Sequence, residues 1–301
     1  MQNFAELVDL ALGDGKQSLR PVVEKELLHY DILFALEKER FLQDLTFQGG
    51  TALRLCYGGK RLSEDLDFVG GVDFCPNKVR ELRECVLDYI GRRYGLEVAV
   101  KNPREMREEP AYWGLQVDRW QISVTTNPGQ RDLPRQRIKL EVANVPAHTR
   151  TARPLQRNYD FLPVGYGDLL VPVETKDEIL ADKIVALVSC RDRVRHRDIW
   201  DIVSLRRHHA QLRSYLVSLK LQDYRAEDYE GALAARIADV AEIARSDPFR
   251  EEMTRFLDPA TRSTTFDKPG FTEFVGEDTR EVLLRAQDAL YPARQELPFE
   301  F

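Results

Sequence analysis

The chain has 301 residues, 43% hydrophobic and 31% charged, enough for two compact domains of an ordinary globular protein. Its formal net charge of −6 excludes a basic coat for nucleic acid, so any nucleic-acid contact has to come from a local patch. The four cysteines, Cys56, Cys75, Cys85 and Cys190, form no CxxC pair and imply neither a zinc cage nor a disulfide framework.

The opening residues, MQNFAELVDLALGDGK, lack a basic start and an apolar signal core, and the densest apolar run, IVALV at 184–188, is far too short to cross a bilayer. The expected location is the cytoplasm, with no membrane partner. Residues 3–13 and 18–41 carry helical spacing of apolar positions, with Leu27, Ile32, Leu33, Leu36 and Phe41 on one side. LTFQ (45–48) reads as a short strand and TALRLCY (51–57) as a short helix starting just after Gly50. DLDFV (65–69) alternates acid and apolar, the period of a strand. Residues 77–94 are expected to be helical and LEVAVK (96–101) a strand, with further strands in 113–126 and 137–145. After LLVPVE, one more strand, helical patterns take over at 176–190, 197–209, 211–220, 226–246 and 277–291. The expectation is an α+β chain: a mixed sheet flanked by helices over residues 1–168, then a mostly helical domain over 169–301. The join falls where FLPVGYGDLLVP supplies turn residues.

Alternation on a strand sends Asp65 and Asp67 to one face, while Leu66 and Phe68 anchor in a core. Two like charges on one surface repel unless something positive sits between them, and Mg²⁺, which takes a few carboxylate oxygens together with waters and phosphates, does this well. Two-metal phosphoryl or nucleotidyl transfer uses a third carboxylate from another strand, and Glu141 in RIKLEV is the candidate. Gly49-Gly50-Thr51 follows a strand and opens a helix. Glycines let backbone N–H groups approach a phosphate, the helix N-terminus adds partial positive charge, and the Thr51 hydroxyl is a further donor. Neither a Walker A loop nor GxGxxG is present. Taken singly, a Gly-Gly-Thr is a turn and a DxD a solvated strand face; in this order and spacing they point together to a metal and a phosphate.

Gly49-Gly50-Thr51-Ala52-Leu53 followed by Arg61-Leu62-Ser63-Glu64-Asp65-Leu66-Asp67-Phe68 resembles the first motif of the AbiEii/AbiGii toxin family. These are DNA polymerase β-like nucleotidyltransferases and form the toxin half of type IV toxin–antitoxin and phage-defence pairs. EILADKIVALVSCRDRVRHRDIWDI (178–202) is similar to a later motif, in which a helical lysine precedes Arg-Asp-x-x-Asp, matched by Lys183, Arg197, Asp198 and Asp201. The resemblance covers about residues 45–205. It implies metal-dependent transfer of a nucleotide to RNA, tRNA foremost, blocking translation, with a cognate antitoxin encoded nearby. By the same resemblance Asp65 and Asp67 are the metal-binding catalytic acids, with Mg²⁺ as the ion and Mn²⁺ as a substitute. Gly49, Gly50, Thr51, Ser63 and Lys183 fall at the nucleotide, and Asp198 is an acid near the site; Glu141 is the third acid.

Lys183 borders the apolar face made by Ile179, Leu180, Ile184 and Leu187, where it either snorkels to water or faces a polyphosphate. Lys183 and Asp198 are expected in the cleft. Asp198 and Asp201, three residues apart on one helix face, serve equally well in salt bridges to Lys183, Arg195 or Arg197. The basic runs Arg191, Arg193, Arg195, Arg197, Arg206, Arg207 and Arg150, Arg153, Arg157 suit either an RNA backbone or paired helix edges. The leading expectation is a nucleotidyltransferase toxin. The alternatives are a nucleotide-binding regulatory protein without turnover and a nucleotidyltransferase of small molecules.

Overall fold

The computed structural model describes residues 2–13, 15–79, 81–103, 117–129 and 134–292. It divides into two compact units, the first made of Met1–Thr175 and Thr254–Ser263, the second of Lys176–Met253 and Thr264–Phe301.

The first unit is built on a mixed seven-stranded sheet of order β3-β4-β5-β2-β1-β7-β6. Its strands are β1 (Thr46–Gln48), β2 (Leu66–Val69), β3 (Val98–Lys101), β4 (Val117–Val124), β5 (Gln136–Ala143), β6 (Thr151–Pro154) and β7 (Leu170–Val173). Among the described residues the helices α1 (Phe4–Leu12), α2 (Arg20–Lys38), α3 (Gly49–Tyr57) and α4 (Leu82–Tyr94) accompany them, with a single helical turn α5 (Val164–Gly167) before β7. β2 runs parallel to β5 and antiparallel to β1, while β1 and β7 are parallel, so the centre of the sheet mixes both pairings. One face is apolar: Phe47, Leu66, Phe68, Trp120, Ile122, Ile138, Leu140 and Val142 are all buried, and the Phe47 and Phe68 rings stack at 4.9 Å. Each such side chain contributes about 1.5–3 kcal/mol on leaving water. The intervening residues of β4 and β5, among them Arg119, Gln121, Lys139 and Glu141, are half-buried or exposed on the other face.

Most predicted elements are present within a few residues. The helix expected over 51–57 begins at Gly49 and takes in both glycines. Of the strand expected over 113–126, residues 113–116 lie outside the described residues. β6 was not expected: TARP holds a proline and is exposed along most of its length, so it carries no apolar alternation to read.

The second unit is helical: α6 (Lys176–Ser189), α7 (His196–Arg207), α8 (Ser214–Asp223), α9 (Tyr229–Arg245), the short α10 (Asp247–Thr254) and α12 (Phe271–Leu290), while the short α11 (Pro259–Thr264) lies, up to Ser263, in the segment that returns to the first unit. α9 packs along α12, and α6 packs on α7 and α8. The short α10 and α11 were not anticipated. The returning segment Thr254–Ser263 belongs with the sheet: Phe256 accepts the Leu62 N–H at 2.9 Å, and the Arg61 guanidinium lies 5.9 Å from its ring centre. Among the described residues no helix is long and apolar enough to cross a membrane.

Candidate active site

β1 ends at Gln48 and the chain turns straight into α3. Gly49 makes that turn with φ +76°, a backbone conformation that L side chains rarely adopt. A Cβ at Gly49 would sit 2.7 Å from Asp67 Oδ2, so the missing side chain is what lets the Asp67 carboxylate lie against the start of α3. A Cβ at Gly50 would meet Arg61 Nη2 at 2.4 Å and Ser63 Oγ at 3.0 Å. Gly49 is therefore fixed by its backbone conformation and its approach to an acid, while a side chain at Gly50 would displace the Arg61 guanidinium.

The loop from Gly58 to Asp65 is pinned from several sides. Arg61, only 5% exposed, donates to the Leu62 carbonyl at 2.8 Å. The Glu64 carboxylate accepts from Lys25 Nζ at 2.8 Å, and its carbonyl accepts from His29 Nε2 at 3.0 Å. Burial pushes the His29 pKa down to about 4, although the Glu64 hydrogen bond and the charges of Glu26 and Asp65 act the other way. The imidazole is thus neutral at pH 7, with its proton on Nε2 because a carbonyl only accepts. Thr51 is 1% exposed and donates its hydroxyl to the Asp65 carbonyl. In this structure the hydroxyl thus fixes the main chain at the acid. Ser63 is likewise buried beside Gly50.

The sheet register then sets four polar residues in one row. Arg119 of β4 opposes Glu141 of β5, Glu141 pairs with Asp67 of β2, and Asp67 with Gln48 of β1. Alternation had placed Asp67 and Glu141 each on a polar face; the parallel β2–β5 pairing makes them direct neighbours. Arg119 Nε donates to Glu141 Oε1 at 2.6 Å, with the two side chains 20% and 26% exposed. Asp65, just ahead of β2, uses Oδ1 to accept the Lys139 backbone N–H at 3.0 Å. The donor set is one of hard oxygens, suited to Mg²⁺.

Lys183 and Asp198 lie together in the helical unit. The Lys183 ammonium donates to Asp198 at 2.7 Å and lies 3.0 Å from Asp201, and all three are buried. Arg195 also pairs with Asp198. Burial alone would raise the Asp198 pKa, but Lys183 and Arg195 outweigh it and hold the carboxyl below its ordinary value. Lys220, wholly buried, is paired in the same manner with Glu178 at 2.7 Å and Asp182 at 3.1 Å.

The basic runs are largely occupied. Arg150 donates to the Gln43 carbonyl at 2.7 Å and Arg157 to that of Leu162 at 2.7 Å, while Arg153 lies 4.9 Å from the Tyr57 ring centre. In the helical unit Arg191 pairs with Asp228 at 2.9 Å, Arg197 with Glu252 at 3.5 Å and Arg206 with Asp278 at 2.9 Å. Sequence reasoning singled out neither Arg119 nor Arg61 as a site residue. Arg61 stood within the quoted motif, and Arg119 was legible only as a charge on the polar face of a strand.

Over residues 31–277 the chain matches the model of a family described as nucleotidyl transferase AbiEii toxin, type IV toxin–antitoxin system. Among solved structures it is similar to the crystal structure of JHP933 from Helicobacter pylori, with a TM-score of 0.50 and 16% identity over 89% of this chain and 93% of that one. It also matches a presumed nucleotidyltransferase from H. pylori, with a TM-score of 0.46 and 17% identity over 89% of this chain and 96% of the other. At such identities the JHP933 likeness speaks for the fold alone. No curated protein matches the chain.

Proposed function

Since this chain belongs to the AbiEii nucleotidyl transferase toxin family of type IV toxin–antitoxin systems, it is a nucleotidyltransferase, and we propose that it moves a nucleotide from a nucleoside triphosphate to an RNA acceptor, tRNA foremost, at the Asp65–Asp67–Glu141 row. The observation that carries this reading is the register that makes Asp67 and Glu141 neighbours on the polar face of the sheet, with Gly49 lying against the Asp67 carboxylate. Asp65, Asp67 and Glu141 would hold Mg²⁺, or Mn²⁺ in its place. Bound there, the ion would supply positive charge against the triphosphate.

The chain's own groups divide the remaining work. Glu141 accepts the proton of the attacking acceptor hydroxyl at a carboxylate oxygen. Gly49 and Gly50 open α3, whose first N–H groups carry partial positive charge toward a phosphate, and Arg61 beside Gly50 adds a full one. Thr51 and His29, through the Asp65 and Glu64 carbonyls, keep the acids' loop in place. Ser63 shapes the same loop. Lys183, expected at the nucleotide from the resemblance, and Asp198, expected as an acid near the site, are engaged with one another in the helical unit. We assign them first to its stability, with contact to a triphosphate as the alternative. Membership of a type IV system implies an antitoxin partner.

The test is incubation of the protein with each α-labelled nucleoside triphosphate, Mg²⁺ and total RNA or purified tRNA. Label entering RNA, with release of pyrophosphate, is the expected result. Label entering small molecules only, or bound without transfer, would replace this reading with one of its alternatives.

A further inference from the structure

We propose that Arg119 is the resident counter-cation of the acidic row, holding Glu141 until a divalent cation displaces it and so setting the cation concentration at which the site loads. The inference rests on the row being the metal-binding site. Its physical basis is the contest for one carboxylate. Glu141 lies between Arg119 and Asp67 in the register, so the same side chain faces a guanidinium on one neighbouring strand and an acid on the other. Left to themselves, Asp67 and Glu141 repel, and the Arg119 guanidinium at 2.6 Å relieves that cost at Glu141.

Glu141 is accordingly held by Arg119. Among the described residues, Asp65, Asp67 and Glu141 do not form a trio whose ligand atoms lie within 4.8 Å of one another. Asp65 is likewise committed, to the Lys139 N–H. A cation that draws on all three carboxylates has to win Glu141 from Arg119. Guanidinium keeps its proton at any working pH, so the contest is one of charge against charge and not of titration. Both partners are part-exposed, which makes the Arg119–Glu141 pair weak enough to exchange.

This assignment has a sign that a merely supporting residue would not give. A support, once removed, leaves Glu141 unfixed and metal binding weaker or unchanged. A competitor, once removed, leaves the row more negative and metal binding tighter. The experiment is a titration of the full chain with Mn²⁺ alone, without nucleotide, following free Mn²⁺ by electron paramagnetic resonance. Melting in chelator shows that each variant is folded. Arg119→Gln should bind Mn²⁺ about tenfold more tightly than wild type, because a unit positive charge beside a divalent ion is gone. Arg119→Lys, which keeps the charge, should stay within about threefold of wild type. Arg119→Met preserves the apolar stem and is read in the same way if Arg119→Gln does not fold. Asp67→Asn is the control and should lose Mn²⁺ binding. Unchanged or weakened affinity in the neutral Arg119 variants, with binding lost in Asp67→Asn, overturns the counter-cation role alone. Wild-type affinity in Asp67→Asn removes the metal site itself and this inference with it.

Discussion

Lys183 lies between Asp198 and Asp201 at 2.7 and 3.0 Å with Arg195 closing on Asp198, whereas on the sheet Arg119 meets Glu141 at 2.6 Å beside Asp67. Both places put acids around a cation, yet their surroundings differ. In the helical unit the side chains of Lys183, Asp198 and Asp201 are 10%, 3% and 4% exposed, and two positive charges face two negative ones. On the sheet Asp65, Asp67 and Glu141 are half-buried, within reach of water and of any ligand that comes from it. A buried, balanced cluster fastens its helices and is costly to open. An acid-rich row that is only half-buried stays within reach of a cation from outside. Residue type alone does not separate the two; burial and charge balance do.

The largest expected effect that would break this comparison is on stability. Lys183→Met leaves the buried Asp198 and Asp201 carboxylates without their shared cation and should destabilise the protein by about 3–5 kcal/mol. Denaturant unfolding measures this. A variant as stable as wild type that binds nucleoside triphosphate weakly would transfer Lys183 from the fastener to the nucleotide site.

Gly49→Ala comes next. It combines a positive φ with a Cβ at 2.7 Å from Asp67 Oδ2, so the acid has to move. Expected are a stability loss of about 1–2 kcal/mol and a fall in transfer rate larger than that loss explains. Unaltered kinetics would mean that the approach of Gly49 to Asp67 has no bearing on the reaction.

The smallest effect is on acid sensitivity. The folded-state pKa of Asp198 is held below its ordinary 3.8. Its contribution to stability is therefore complete above that value and is lost only as pH falls below it, through the folded pKa. Asp198→Asn should flatten the stability–pH curve in that acidic window and leave its shape near neutrality unchanged; pH-dependent melting decides the point.

Much of the first unit was legible in the sequence because its strands carry an alternation that burial enforces. Leu66 and Phe68, or Ile138, Leu140 and Val142, can only point inward, and their neighbours Asp67 and Glu141 follow outward. What alternation does not carry is which strand lies beside which. The β2–β5 pairing that joins Asp67 to Glu141, and the β4–β5 pairing that brings Arg119, arise from long-range register set by the whole core. Thr51 shows a second limit: the sequence marks a hydroxyl beside two glycines, but not that it meets the Asp65 carbonyl. The return of residues 254–263 to the sheet unit had no local signal, since Phe256 reads as an ordinary apolar residue in a stretch to which the sequence assigns no element.

The most direct test of the central claim repeats the labelled-nucleotide assay with Asp67→Asn beside the wild-type protein. Asp67 is half-buried, so its loss should move the melting temperature by only a few degrees. Transfer of label to RNA should fall by about a thousandfold or more. A folded Asp67→Asn protein that labels RNA at the wild-type rate would contradict the assignment of the reaction to this row.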